Sequence, residues 1–506
     1  MVYDASLRYT IGIALFASIG TFLFGYDGGI VTTTIAHQSW VEYMGNPSNG
    51  LTGAISATYI AGEVLGSITQ IFVADQLGRI RFLEICCVIV TVGCTLQAAA
   101  INIGMLLGGR AIAGFAVGGL SCTIPIYVIE ISPPKYRGLI GGISGLGMAV
   151  GTMSSNWVGF ACGFAPYGAL QWRLPLGLQI PFGVILFCGL VTFMPHSPRQ
   201  LIVKGKVDEA RALFLRIRTA GLDVSSDDFH DSQAYHEILE EFSLMRAQLQ
   251  FEKERELSYR DIFKIYRRRV LVSISVQVLT SLTGINVIQY YQTKLYKSLG
   301  ITSQTGLCLA AVWGTVAVIS NVIAVYFLPD RWGRRKMLLT GVGCVILTEI
   351  YAAVMQHQFQ NTDNKIGKAF AILGIYLFAV AYYGMINSVT WLYGAEILPM
   401  AIRNRVMGTA AACHYIVNVG LTEAGPSAFA NIKENYYYVF VGCCSLYFVG
   451  IYLWYPETKQ KTLEEIAAAF GDKVVEVGAN EMAAEELAME GGAKAGLEKA
   501  NHIERA

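Results

Sequence analysis

Apolar and small residues fill about twelve windows of membrane-spanning length along this chain, and polar residues gather between them. A hydrocarbon core about 30 Å thick needs roughly 20 apolar residues in a helix. The windows begin near residues 9, 51, 82, 106, 138, 172, 270, 305, 337, 368, 404 and 435, and each ends about 20–26 residues later. The pattern predicts an all-α, multi-pass membrane protein with twelve transmembrane helices. Two stretches depart from it. Segment 195–269 is polar with both charge signs, and VDEARALFLRI and YHEILEEFSLMRAQLQFEKERE within it carry helical periodicity. The end of the chain, after about residue 460, begins as a helical TLEEIAAAFGDK and runs into an Ala/Glu/Gly-rich tail expected to be disordered.

Short motifs divide the windows into two sets. DQLGRIR at 75–81 answers DRWGRRK at 330–336, EISPPKYR at 130–137 answers EILPMAIR at 396–403, and PHSPR at 195–199 is echoed by PETKQ at 456–460. The offsets are about 255, 266 and 261 residues. The chain therefore reads as two six-helix pseudo-repeats in the same order and orientation: 1–194, a cytoplasmic linker with short helices over 195–269, 270–456, and a tail over 457–506. This is the parallel-repeat plan of the major facilitator fold, with a substrate site near the midplane between halves that rock to give alternating access. One chain holds both halves, so a monomer suffices.

Composition agrees: 54% of residues are hydrophobic and 15% charged, with a mean hydropathy of +0.45. The placement of charge is more informative than its total. Lys and Arg outside the windows fall in 199–269, 77–81, 330–336 and the tail, while loops 36–50, 164–171 and 357–366 are nearly free of them. The positive-inside rule makes the first group cytoplasmic, and an even number of spans puts both termini there. No cleavable signal precedes the first span, which is expected to serve as the insertion signal. A net charge of +1 and the absence of a basic patch give no reason to expect nucleic acid. Most of the eleven cysteines lie inside windows, fit no zinc spacing, and read as small packing residues. No nucleophile–base set, metal spacing or nucleotide loop is present, so neither an enzyme nor a cofactor is expected.

The first window contains GTFLFGYDGGIV, residues 20–31, with Asp27 at its centre. An ionised Asp at mid-membrane costs about 2.5–3.5 kcal/mol on insertion scales, so Asp27 requires a partner and a task. At the cytoplasmic helix ends, Asp75, Arg79, Asp330 and Arg334 of the Gly-Arg loops can pair with a neighbouring helix or cap a helix end. Glu130 with Arg137, and Glu396 with Arg403, are placed for inter-helix ion pairs. Such pairs form a latch that holds while the cytoplasmic side is shut; the plainer alternative is that they anchor helices at the interface.

Taken together, D-x-x-G-R-x-R/K twice, E-I-x-P-x-x-x-R twice, QWR at 171–173, SPR at 197–199, GINVIQYY at 284–291 and PETK at 456–459 resemble the sugar porter family over about residues 10–470. The QWRLPLGLQIP stretch and the long linker resemble its fungal members most. His196 stands where the family usually has Glu, and PETKQ lacks the usual Gly. The resemblance implies that Asp27 pairs with an Arg on the fourth helix, here Arg110 in LLGGRAIAG. Proton-coupled members carry Asp at this place and facilitators carry Asn, although some fungal facilitators keep the Asp. A carboxylate separated from its guanidinium can take a proton, which is what a symporter needs.

The resemblance also implies a sugar site built from helices 1, 5, 7, 8, 10 and 11. Carried over by motif, this chain offers Phe24, Thr152, Asn286, Tyr290, Trp391, His414, Tyr415 and Asn418, with Asn156 one turn beyond Thr152. Where the family has two Gln before GIN, this chain has Thr280 and Ser281, with Gln277 a turn earlier. The fifth-helix Gln is Gly145, the eighth-helix Asn is Val318 with Asn321 a turn on, and the eleventh-helix Asn-Trp pair is His414-Tyr415. A hexose would lose several hydrogen bonds worth about 0.5–1.5 kcal/mol each, so an ordinary glucose carrier is not expected. His414 leaves two readings open: a protonated ring holding a carboxylate, which suits a sugar acid such as galacturonate or quinate, or a neutral ring bonding a hydroxyl. The expected function is proton-coupled uptake of a monosaccharide at the plasma membrane. The alternatives are a sugar-acid symporter and a non-transporting sugar sensor.

Overall fold

The computed structural model describes residues 2–133, 136–220, 233–253, 258–327, 332–360, 362–459, 466 and 470, and among them it contains helices and no strand. Among the described residues ten helices are long and apolar enough to cross a membrane: Ser6–Thr34, Gly50–Leu77, Arg79–Ala98, Ile103–Ile131, Leu170–Thr192, Arg267–Ser298, Ser303–Phe327, Arg334–Phe359, Lys365–Glu396 and Lys433–Trp454. Arg137–Cys162 and Met400–Asn431 also have spanning length. They carry Gly, Ser, Thr and Asn, or Arg, His, Asn and Glu, where the others carry Leu, Ile and Val. Ten and two make the twelve spans that the apolar windows predict. The two polar helices are the fifth and the eleventh. The fifth packs between the first and the eighth, and the eleventh against the second and the seventh, so protein rather than lipid covers their polar faces.

Close packing follows from small residues. A methyl group added at Gly66 would collide with the Phe115 carbonyl, and one at Gly114 with that of Tyr59. Gly62 and Gly66 on the second span, and Gly114 and Gly118 on the fourth, thus form facing small-xxx-small stripes that let the backbones touch. Two spans are interrupted near the middle. The seventh is broken between Leu282 and Ile285, where Gly284 takes φ +72°, and the tenth at Ile386, between Met385 and Asn387. Broken helices free backbone groups at mid-membrane only where these line a protein interior.

The halves meet at both ends. At the end away from the linker, Thr32 Oγ1 donates to the Gln289 carbonyl at 2.9 Å, Ser303 Oγ to Ala36 at 3.1 Å and Asn156 Nδ2 to Ala310 at 3.2 Å. Towards the linker, Gln70 bonds Asn404, and Asn387 Nδ2 donates to the Gly145 carbonyl at 3.2 Å. Contacts between the halves are thus present towards both faces of the membrane. The linker helices expected from periodicity are present as Val207–Thr219 and Gln233–Lys253, and they share a small core of Ile202, Ala210, Phe214, Ile238, Phe242, Met245 and Leu249. Arg218 clamps this unit to the bundle, pairing with Glu241 at 2.7 Å and donating to the Ile131 carbonyl at 3.2 Å. The tail beyond 470 lies outside the described residues.

Candidate functional site

The acid in the first span has the partner it needs. Arg110 Nη1 donates to Asp27 Oδ1 at 2.6 Å and to the Asp27 carbonyl at 3.2 Å, with the side chains 0% and 1% exposed. The guanidinium lies 4.0 Å from the centroid of the Tyr59 ring. Its Nη2 and Asp27 Oδ2 make no hydrogen bond of normal geometry among the described residues, although the Gln97 and Gln179 side chains lie beside the carboxylate. The pair is therefore charge-matched but incompletely bonded, which suits a contact that must open.

On the C-terminal side, four of the expected residues satisfy one another. His414 Nδ1 lies 3.0 Å from the Gln277 carbonyl, 2.6 Å from Thr280 Oγ1 and 2.8 Å from Ser281 Oγ. A carbonyl only accepts, so Nδ1 carries the proton. Thr280 passes its own proton to the Gln277 carbonyl at 2.6 Å and Ser281 to the His414 carbonyl at 2.9 Å. A neutral ring in this tautomer keeps Nε2 as an acceptor, which suits a hydroxyl rather than a carboxylate. Trp391 stands edge-on to the ring with centroids 6.4 Å apart and packs against the cores of both halves. Gln277 Nε2 reaches the Thr390 carbonyl at 3.4 Å.

The other expected residues are spread around this centre. Tyr415 is fully buried and its hydroxyl meets Ser121 of the other half at 2.7 Å, while the Phe24 ring lies 6.3 Å from it. Thr152 donates to the Gly25 carbonyl at 3.3 Å and receives Gln289 Nε2 at 3.5 Å. Asn286 is half-buried with no hydrogen bond, and Tyr290 is buried against Gly28. Asn156 is spent on the seam with the eighth span, and Asn418 accepts from Thr422 at 3.1 Å one turn on, so neither has its whole amide free. The missing fifth-helix Gln has a structural counterpart: the tenth span approaches until a Cβ at Gly145 would strike Ser388, and Asn387 occupies the Gly145 carbonyl. Asn321 is likewise used, donating to the Tyr383 carbonyl at 2.9 Å and to Ser388 at 3.1 Å.

Two contributors were absent from the motif-based set. Gln289, inside GINVIQYY, bridges Thr152 and Tyr383, and its place in the motif was the signal. Glu63 lies fully buried on the second span. The reasoning that singled out Asp27, a carboxylate in an apolar window, applied to it equally.

The repeated motifs form the same three contacts in each half. Arg79 pairs with Glu130 at 3.1 Å and Arg334 with Glu396 at 3.0 Å. Tyr127 donates to the Pro195 carbonyl at 2.7 Å and Tyr393 to that of Pro456 at 2.8 Å. Gln200 Oε1 caps the third span at the Arg79 amide at 3.1 Å, and Glu457 caps the ninth at the Arg334 and Arg335 amides at 2.8 and 3.2 Å. Gly78 and Gly333 take φ +107° and +91° at these turns, a conformation that L side chains rarely adopt. Among the described residues the arginine that meets each glutamate thus comes from the Gly-Arg loop, and of the two expected pairs, Glu130 with Arg137 lies outside them while Glu396 meets Arg334 where Arg403 was expected. Glu130 ends the fourth span beside the start of the third, which brings the loop arginine to it. Asp75 also contacts Arg79, and Arg403 donates to the Leu398 carbonyl at 3.0 Å. Asp330 and the Arg137 side chain lie outside the described residues. No group of three His, Cys, Asp or Glu able to hold a metal occurs among the described residues.

A family model described as "Sugar (and other) transporter" matches residues 13–470. The chain belongs to the sugar (and other) transporter family. It is a transporter, not an enzyme. The MFS-type transporter criB of Aspergillus cristatus is 32% identical to this chain over 470 residues, covering 92% of it and 94% of the relative. The high-affinity glucose transporter of Kluyveromyces lactis is 30% identical over 488 residues, covering 92% and 85%. Among solved structures, the proton:xylose symporter XylE of E. coli superposes with a TM-score of 0.79 at 21% identity, covering 92% of this chain and all of that one, which shows the major facilitator fold.

Proposed function

We propose that this transporter carries a monosaccharide into the cell together with protons, by alternating access, in the plasma membrane with both termini cytoplasmic. The carrying observation is the buried Asp27–Arg110 pair, set inside the N-terminal half with an oxygen and a nitrogen that make no hydrogen bond of normal geometry. A proton on Asp27 frees Arg110, and the freed guanidinium weakens the closed seam; loss of the proton restores it. The sugar sits against Trp391 and Tyr290, with Asn286 and His414 Nε2 as hydroxyl partners. The Arg79–Glu130 and Arg334–Glu396 pairs brace the linker-side end of each half while it is shut. Carriers named for glucose and for xylose stand among the similar proteins, as does one named for quinate, and the burial of His414 favours a neutral ring, which suits a neutral sugar rather than a sugar acid.

Uptake of labelled glucose, xylose, rhamnose and galacturonate, in yeast lacking its own hexose carriers and at acidic and neutral pH, tests this. Acid-stimulated, accumulative uptake of a neutral sugar is the expected result. Uptake of galacturonate alone would turn His414 into a carboxylate ligand, and uptake of none would favour a sensor.

A further inference from the structure

The second span carries its own carboxylate, Glu63, one turn beyond Tyr59. The side chain is 1% exposed, and Oε1 has no hydrogen-bond partner. Tyr59 Oη and Arg110 Nη2 likewise make no hydrogen bond of normal geometry, although the Tyr59 hydroxyl lies near enough to Glu63 to interact with its carboxylate. The second span packs on the fourth and on the eleventh, which belongs to the other half, and the groups that interact electrostatically with Glu63 are Arg110 and Cys122 of the fourth span, Asp27 of the first, Tyr290 of the seventh and Tyr415 of the eleventh. Arg110 is the single cation in that set, and it is bonded to Asp27. Two carboxylates therefore share one guanidinium in a medium of low dielectric, where an uncompensated charge is expensive. Glu63 also lies where the halves meet, since Tyr290 and Tyr415 belong to the C-terminal half. Rocking changes what covers it.

Glu349 on the ninth span provides the contrast. It is fully buried with both oxygens unpartnered, but its titratable neighbours, Tyr437, Cys443 and Cys444, belong to the twelfth span of the same half. Rocking leaves that environment intact.

We infer that Glu63 is a second proton-binding site of the coupling centre, loaded and unloaded as the halves rock, with Arg110 answering to Asp27 in one state and to Glu63 in the other. A proton from water on the open side bonds to Oε1 and leaves to water on the opposite side, with no other bond made or broken. The inference rests on the proton-coupled reading above.

The test uses the full chain in liposomes and infrared spectra of the carboxyl stretch across a pH series. Part of the buried-carboxyl band should change with pH in the parent protein, and Glu63→Gln should remove a share of that changing part. Glu349→Gln should remove only intensity that is constant with pH. An unaltered pH-dependent band in Glu63→Gln overturns the inference. If Glu63→Gln does not fold, Glu63→Asp serves: a displaced pH-dependent band supports the inference, and an unmoved one overturns it. Proton influx driven by a D-xylose gradient separates the two levels of the argument. Protons moved per sugar should fall about twofold in Glu63→Gln, as expected on losing one of two coupled sites. Xylose movement without protons in the parent would remove the symport reading, while the infrared result still decides whether Glu63 titrates.

Discussion

The two walls of the chamber are built from different chemistry. The N-terminal wall holds the formal charge, Asp27, Arg110 and Glu63, incompletely bonded and sealed by glycine-mediated packing. The C-terminal wall holds neutral donors and acceptors, His414, Thr280, Ser281, Gln277 and Gln289, bonded mostly to one another and backed by Trp391. Charge responds to protons and oriented neutral groups respond to hydroxyls. On the reading proposed above, one half of the carrier serves coupling and the other recognition, and the rocking motion joins the two.

Substitutions can break that division, beginning with the most severe. Arg110→Ala leaves Asp27 buried without its cation, a change that costs about 3–5 kcal/mol when a buried pair is broken from one side. Folded protein recovered from membranes should drop sharply, and Asp27→Asn combined with Arg110→Gln should recover much of it, read as thermal stability in detergent. Asp27→Asn alone should keep the fold and cut the protons moved per sugar by roughly half, so that accumulation falls without vanishing. The sign follows from the pair: parent uptake needs a proton on Asp27 to release Arg110, so it declines as pH rises, and the variant's uptake should decline less steeply, the remaining slope belonging to Glu63. His414→Ala strips the shared donor from Gln277, Thr280 and Ser281. A loss of about 1–3 kcal/mol for the stranded groups corresponds to roughly tenfold or more in apparent KM, with the accumulation ratio unchanged. Tyr415→Phe removes the bond to Ser121 that crosses the halves, worth about 1 kcal/mol. A shift of a few-fold in cysteine accessibility between the two open states would register it.

Much of this arrangement was legible in the sequence. The span count followed from apolar windows, and the halves from motif offsets that reappear as matched contacts, Arg79–Glu130 with Arg334–Glu396 and Tyr127–Pro195 with Tyr393–Pro456. The Asp27 partner followed from the cost of a lone acid in lipid together with the family motif. What stayed hidden depends on register between helices distant in the chain. Thr280 and His414 are separated by 134 positions, and nothing local tells that their spans align so that two hydroxyls and a ring nitrogen coincide. Gly145 shows the same limit: read alone it is a lost amide, and only the approach of the tenth span reveals Asn387 at its carbonyl. Glu63 was visible in the sequence, and its significance needed the seam.

The mutual bonding of Thr280, Ser281, Gln277 and His414 has a kinetic consequence. A carrier must complete its cycle by returning without cargo, and unsatisfied polar groups in an empty chamber would retard that step by having to shed water each time. Here the recognition wall satisfies itself when vacant. Sugar at His414 Nε2 leaves these internal bonds in place, and the unloaded return proceeds without water having to be stripped from them. Net influx should therefore run nearly as fast as exchange between labelled and unlabelled sugar.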